Sequence, residues 1–321
     1  VRILDDGGVE FSYLGEDEGC CGIPFLTSGK WNEWENALRY NVNQIKERGI
    51  EELVTSCPGC YVALDHYYDE WTEKLGIEWD VTVKHITEVA SELIKEDKLK
   101  FSKTRDLDVT WHDPCHIGRH AGIYEPPREV IEALPGVNLT EMEHNREDGL
   151  CCGSVLTRVG EPSTSDEIAA TRLEEAEASG AEELVTTCPC CEFQLRVGGL
   201  QMDSPMPVKD FSTLVAEAMG YETEDPTEDV YEGWYAFEAM IYQMSLPGMV
   251  EMMEDLLPEM MEEMPSYMQK GMDQMSHLPG GTKEPMILMM KGAMPYMMPR
   301  LMDEIMPKMV PRISSYLENQ V

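Results

Sequence analysis

The stretch EELVTSCPGC, residues 51–60, returns as EELVTTCPCC, residues 182–191, an offset of 131. The same offset carries Cys20-Cys21-Gly22 onto Cys151-Cys152-Gly153, and Gly49 onto Gly180. It also carries Leu38, Val42 and Ile45 onto Ala169, Leu173 and Ala176. A fixed period over so many positions is a duplication. Within each copy, Leu-Val-Thr is a short apolar run that breaks at Cys-Pro, where proline is tolerated only in the first turn of a following helix. A strand that feeds a helix, twice, predicts parallel α/β architecture.

Working outward in copy one, residues 9–14 read as a strand running into the Cys-Cys-Gly loop. Trp31, Trp34, Leu38, Val42 and Ile45 recur at helical spacing, and Gly49 ends that helix. Residues 53–56 read as a buried strand, followed by a strand near 81–83 and a helix over 88–94. Copy two repeats this ending at 208–215, its offset reduced to 125 by a shorter loop. We therefore expect a first repeat at 1–95 and a second at 96–220, each an α/β unit with a parallel sheet. A pseudo-twofold relation between them would bring their cysteine loops together. An acidic linker at 221–234 then leads to a helical tail, 235–321, that holds 20 of the 24 methionines and nine prolines. Its helices are expected to be short and kinked.

The chain has 321 residues with 61 acidic and 25 basic side chains, a net charge of −36. That field repels phosphate backbones, so nucleic acid is excluded as a partner. No apolar run reaches the length of a spanning helix, and no basic start precedes an apolar stretch, so neither a membrane span nor a secretory leader is expected. The expected location is cytoplasmic, at a membrane only through a partner.

All ten cysteines lie between Cys20 and Cys191. Copy two places Cys115, Cys151-Cys152, Cys188 and Cys191 with 35 residues between successive groups. Copy one has Cys20-Cys21, Cys57 and Cys60. The counterpart of Cys115 is expected before Val1, which leaves the copy-one set one cysteine short. Thiolates converging from several strand ends suit a soft metal centre. Structural disulfides do not suit the reducing compartment expected of such a chain. Zinc prefers two CxxC pairs or histidines, and a thioredoxin-type CxxC leaves the vicinal cysteines unexplained; both stay open on spacing alone.

The pattern Cys, Cys-Cys-Gly, Cys-x-x-Cys resembles the cysteine-rich CCG domain of methanogen heterodisulfide reductases and of iron–sulfur subunits in glycolate, lactate and glycerol-3-phosphate oxidation. WHDPCHIGRHAGIYEPPREVIEALPG from Trp111, with EMEHNREDGLCCG from Glu141, is similar to the D-type reductase branch. The resemblance runs over residues 9–211. It implies that Cys115, Cys151, Cys152, Cys188 and Cys191 ligate a noncubane 4Fe–4S cluster. Cys20, Cys21, Cys57 and Cys60 would belong to a second such site that lacks one ligand here. It further implies an oxidoreductase subunit that reduces a disulfide, or else relays electrons from a flavoprotein that oxidises a 2-hydroxy acid or glycerol 3-phosphate. Ferredoxin-like, flavoprotein or membrane-cytochrome subunits are the implied partners.

Against the family pattern, no ferredoxin-like segment is present, Cys190 sits inside the second CxxC, and Ser154-Val155-Leu156 stands where glycines are usual. His112, Asp113 and His116 flank Cys115 and read as residues that position its loop or carry a proton, rather than as ligands. His85, with Asp210 as its counterpart, reads as a satisfied loop histidine. Arg119, Arg128, Arg146 and Arg158 are candidates for gripping an anionic substrate, with surface solvation the simpler reading. The tail is read as a packed, adaptable helical element suited to docking a redox partner.

Overall fold

The computed structural model describes residues 1–158, 162–199, 202 and 206–229, all within one unit, Val1–Tyr231. The tail at 235–321 and the end of the linker lie outside the described residues, as do the side chains of Arg158 and its neighbours.

In copy one, short helices α1 (Arg2–Asp6) and α2 (Ile23–Thr27) precede α3 (Trp31–Glu47). Trp34, Leu38, Val42 and Ile45 are buried along one face of α3, as their spacing requires. Trp34 meets Tyr67, Tyr68 and Trp71 edge-on, at centroid separations of 5.5 to 6.5 Å. Beyond α3, the chain turns at Gly49 into β1 (Glu52–Thr55). Helix α4 (Pro58–Val62), a π-helical turn over Ala63–Tyr67, and α5 (Tyr68–Leu75) lead to β2 (Thr82–His85) and α6 (Ile86–Lys95). Strands β1 and β2 are parallel, with Glu52 opposite Thr82 and Thr55 opposite His85.

Copy two contributes β3 (Leu107–Trp111), a π-helical turn at His116–His120, α7 (Glu125–Ala133) and β4 (Val137–Leu139). Then follow α8 (Ser154–Arg158), α9 (Pro162–Ala178), β5 (Glu183–Thr186), α10 (Pro189–Gly199), β6 (Val208–Asp210) and α11 (Phe211–Met219). The sheet order is β4-β3-β5-β6, with parallel pairing throughout. Strands β1 and β5 occupy corresponding positions at the 131 offset, and α6 and α11 each follow the last strand of their copy. The parallel α/β fold expected from the duplication is therefore the fold of the described residues. Its helices include none long and apolar enough to cross a membrane.

The strand expected at 9–14 does not form; those residues run without a ladder into a short 3-10 turn at Gly15–Asp17. At the 131 offset these residues correspond to 140–145, which likewise form no strand and lie just past β4, whose ladder is made on β3 through Leu107↔Val137 and Val109↔Leu139. In neither copy does the stretch join a ladder, so its local strand propensity goes unused.

One core joins the copies. Val109 and Trp111 of β3, Val130 and Ile131 of α7, and Phe211 and Leu214 of α11 pack with Ile86, Val89 and Leu93 of α6. A separate core beneath the second cysteine set holds Ala169, Leu173, Leu184 and Leu195 together with Cys152, Cys188 and Cys191.

Candidate metal centre

In β4-β3-β5-β6 the connections leave β3 and β5 in opposite directions, so a crevice opens beyond their carboxyl ends, where open parallel sheets place their sites. Cys115 follows β3 and Cys188 follows β5 into that crevice. His112 N–H donates to Val185 O at 2.9 Å and keeps the two strand ends in register up to the cysteines.

The Cys-Cys-Gly loops are built alike. Gly22 and Gly153 both have φ +87°, a left-handed conformation that disfavours any side chain. A Cβ on Gly153 would stand 2.8 Å from Ser165 O, and one on Gly22 would stand 2.9 Å from the Trp34 ring. Each glycine N–H points back at the first sulfur of its pair, Gly153 to Cys151 at 3.4 Å and Gly22 to Cys20 at 3.5 Å. The CxxC cysteines open helices. Cys57 precedes α4 and Cys188 precedes α10, where free N–H groups of the first turn face each sulfur.

All five expected thiols of the second set form one chain of contacts. All are free thiols: Cys115 is hydrogen-bonded to Cys151 and Cys151 to Cys152, Cys152 lies 3.1 Å from Cys191, and Cys191 is hydrogen-bonded to Cys188. In the first set hydrogen bonds join Cys20 to Cys21, Cys21 to Cys60 and Cys60 to Cys57. The crowding splits each set electrostatically. Cys151 and Cys188 are held well below a free thiol because neighbouring thiols donate to them, and Cys57 comes down to about 7, chiefly through Cys60. Cys115, Cys60 and Cys191 are pushed up because they are those donors. Sulfurs this close cannot all ionise by themselves. Replacing their shared protons by metal is what would let every one become a thiolate, so the donor set fits a thiophilic metal group.

The two sets adjoin. Thr187 Oγ1 donates to Ser56 O at 3.4 Å, a contact between residues 131 apart and hence between equivalent positions. That is the pattern a pseudo-twofold axis makes, and Cys57 and Cys188 on either side feel each other's charge.

His85 is fully buried, with Nδ1 2.8 Å from Thr87 Oγ1 and Nε2 3.2 Å from Ser56 O. Burial lowers it to about 4, so it is neutral and satisfied. Its counterpart Asp210 caps α11 by accepting from Thr213 N–H at 3.1 Å. Cys190 is half-buried and engaged with Cys188.

The arginines differ from the substrate-gripping expectation. Arg128 is 3% exposed and donates two bonds to Asp113 and two to Glu141. Arg146 pairs with Glu125 and Glu141, and Arg119 donates to Gly149 O. Asp113 also accepts from Trp111 Nε1 and Arg146 N–H, at 2.9 and 2.8 Å, which ties the Cys115 loop to the segment leading into Cys151. Burial alone would raise the Asp113 carboxyl, but these donors hold it below its ordinary value. These arginines build the site.

Sequence reasoning missed Arg172 altogether. It lies fully buried on α9 and donates from Nε to His112 Nδ1 at 3.2 Å, from Nη1 to His144 O, and to Glu175. Sixty residues separate Arg172 from His112, and a basic residue on a helix carries no sign of such a partner. His112 is itself fully buried beside the sulfurs, and with Cys152 and Cys191 it forms a group whose ligand atoms lie within 4.8 Å of one another. Burial, with Arg172 beside it, lowers His112 to about 4.

Compared with known proteins, residues 1–65 and 109–196 match the CCG cysteine-rich domain. The D subunit of the dihydromethanophenazine:CoB–CoM heterodisulfide reductase from Methanosarcina acetivorans is 38% identical over 70% of this chain and 55% of its own length. An EtfAB:quinone oxidoreductase of Syntrophomonas wolfei is 32% identical over 68% of this chain and 30% of its own. The B subunit of the fumarate reductase (CoM/CoB) from Methanothermobacter marburgensis is 27% identical over 70% and 43%. The chain thus spans about half the length of the D subunits it matches, and less of the others. With both cysteine loops built on the same left-handed glycine, and D-subunit relatives aligned across them, residues 1–65 and 109–196 carry the CCG cysteine-rich domain.

Proposed function

We propose that the chain is an iron–sulfur redox subunit that reduces a small disulfide at the second cysteine set, in the manner the D-subunit relatives' name describes. Cys115, Cys151, Cys152, Cys188 and Cys191 would hold a noncubane 4Fe–4S cluster; Cys20, Cys21, Cys57 and Cys60 would supply four ligands of another. The observation that carries the reading is the asymmetry of the second set: Cys152, Cys188 and Cys191 are buried, whereas Cys115 and Cys151 are only half-buried, the side from which a ligand would reach the set.

An iron–sulfur group bound there supplies single-electron transfer and iron able to take a sulfur atom. The chain's own residues supply the rest. The Asp113–Arg128–Arg146 network holds the Cys115 loop at the rim. His116 stands at that rim with Nδ1 3.8 Å from Cys115 Sγ and its ring stacked on exposed His120 at 5.4 Å, placed to hand protons to a departing thiolate. In the complete reaction one disulfide takes two electrons and two protons, its S–S bond breaks, and two thiols leave. The electrons arrive from a partner redox protein, and the adjoining first set lies beside the second for that transfer.

A second reading, electron relay without substrate chemistry, is favoured by the engagement of Arg128 and Arg146 with carboxylates, which takes two cationic anchors away from an anionic disulfide. Coenzyme M, added to the oxidised, anaerobically purified protein, separates the two. A changed EPR signal supports disulfide chemistry. An iron–sulfur signal indifferent to every thiol tried establishes the relay.

A further inference from the structure

His112 Nε2 is buried and has no hydrogen-bond partner among the described residues. A buried polar atom left unpaired keeps the full cost of its lost solvation, so a partner belongs at this position. The ring is pinned on both sides. Its backbone N–H is in the β3–β5 ladder, and Nδ1 accepts from Arg172 Nε. Arginine Nε always carries its proton, so Nδ1 must be the bare nitrogen and a neutral ring bears its proton on Nε2. An imidazolium would set donor against donor at Nδ1, next to a buried guanidinium. Around the ring stand Cys152 and Cys191, both buried, with Cys151 and Cys188 close enough to act on it.

Resting on the reading that the second set holds an iron–sulfur group, we infer that His112 is not an iron ligand but donates a hydrogen bond from Nε2–H to a sulfur of that site, in the tautomer fixed by Arg172. A metal-bound nitrogen has to be bare, and the bare one faces arginine. Sulfur is the acceptor the site offers, as ligand thiolate or as cluster sulfide. Because reduction adds negative charge to the sulfurs, a donor aimed at them favours the reduced state and raises the reduction potential. Arg172 is the positioning residue: without it the Nε2–H tautomer loses its lock.

Three measurements on the anaerobically prepared holoprotein test this: iron and sulfide content, an EPR-monitored redox titration, and pulsed EPR with 15N-histidine labelling and exchange into D2O. His112→Leu is expected to keep its iron and to shift the one-electron equilibrium toward the oxidised form about tenfold, a fall of about 59 mV. His112→Gln, whose amide can accept from Arg172 and donate to sulfur, is expected to recover most of that shift. The wild-type spectrum should show an exchangeable proton coupled to the cluster, absent in His112→Leu, and only weak nitrogen coupling. An unchanged potential in His112→Leu, or nitrogen coupling of the size of a directly bound ligand, overturns the inference. Should His112→Leu fail to fold, the wild-type spectrum decides alone. Wild-type protein without iron and sulfide overturns the proposed function and this inference with it; iron present with an indifferent His112 overturns this inference alone.

Discussion

Replacing Arg128 with methionine takes away a guanidinium that is 3% exposed while leaving Asp113, equally buried, in place. The carboxylate loses two charge-assisted bonds, at 2.8 and 2.9 Å, and keeps those from Trp111 Nε1 and Arg146 N–H. Breaking a buried ion pair from one side costs about 3–5 kcal/mol. The two remaining donors place this case near the lower end. The sign with pH follows from Asp113. In the native protein its carboxyl lies below its ordinary value, so its contribution is present above that value and lost as pH falls through the lowered one. Without Arg128, burial is left to raise it, and the deficit of Arg128→Met should shrink as pH drops from about 7 to about 5. Urea denaturation of Arg128→Met, Asp113→Asn and the double variant, followed anaerobically by circular dichroism, reads the effect. The double variant buries no lone charge and should cost less than the sum of the singles by about 1–3 kcal/mol. A cost of about 1 kcal/mol or less for Arg128→Met, as for an exposed pair, or strict additivity, would refute the reasoning.

Gly153→Ala should cost more than Gly49→Ala, because both have positive φ but only the first would press a Cβ against backbone, at 2.8 Å from Ser165 O. The strain alone is about 1–2 kcal/mol, and iron content should fall only in Gly153→Ala. Asp210 is raised to about 6 by burial, with Glu192 adding to it, so its stabilising protonated form is complete below about pH 4 and lost as pH rises through about 6. Asp210→Asn keeps an acceptor for Thr213 N–H and should gain about 1–2 kcal/mol at pH 7.5, after discounting for its partial exposure, and nothing at pH 4. Denaturation midpoints at the two pH values check this, and equal slopes in both proteins would contradict it. Tyr68→Phe removes a hydroxyl that donates to Cys21 O at 3.1 Å and accepts from Asn41, so it should cost about 1 kcal/mol in thermal unfolding.

Much of this was legible in the residues because the duplication repeats local rules. The apolar run of β1 and β5 ending at Cys-Pro, and the one-sided burial of Trp34, Leu38, Val42 and Ile45, are written in neighbouring residues. The convergence of both cysteine sets was legible too, since parallel strands deliver their loops to one end. What failed was non-local. The segment 9–14 has strand character but no ladder partner. Arg128 looked like a solvated cation in an acidic chain, yet Asp113, fifteen residues before it, and Glu141, beyond β4, draw it inside. Arg172 meets His112 because α9, packed on α10, carries it to the residue that follows β3, and spacing along the chain gives no sign of that meeting.

Metal analysis of anaerobically purified protein, wild-type and Cys152→Ser, decides whether the second cysteine set is an iron–sulfur site. About four iron with matching acid-labile sulfide are expected for the complete set, lost in Cys152→Ser while the protein stays folded. Zinc without sulfide, or iron unchanged by Cys152→Ser, would contradict the iron–sulfur assignment.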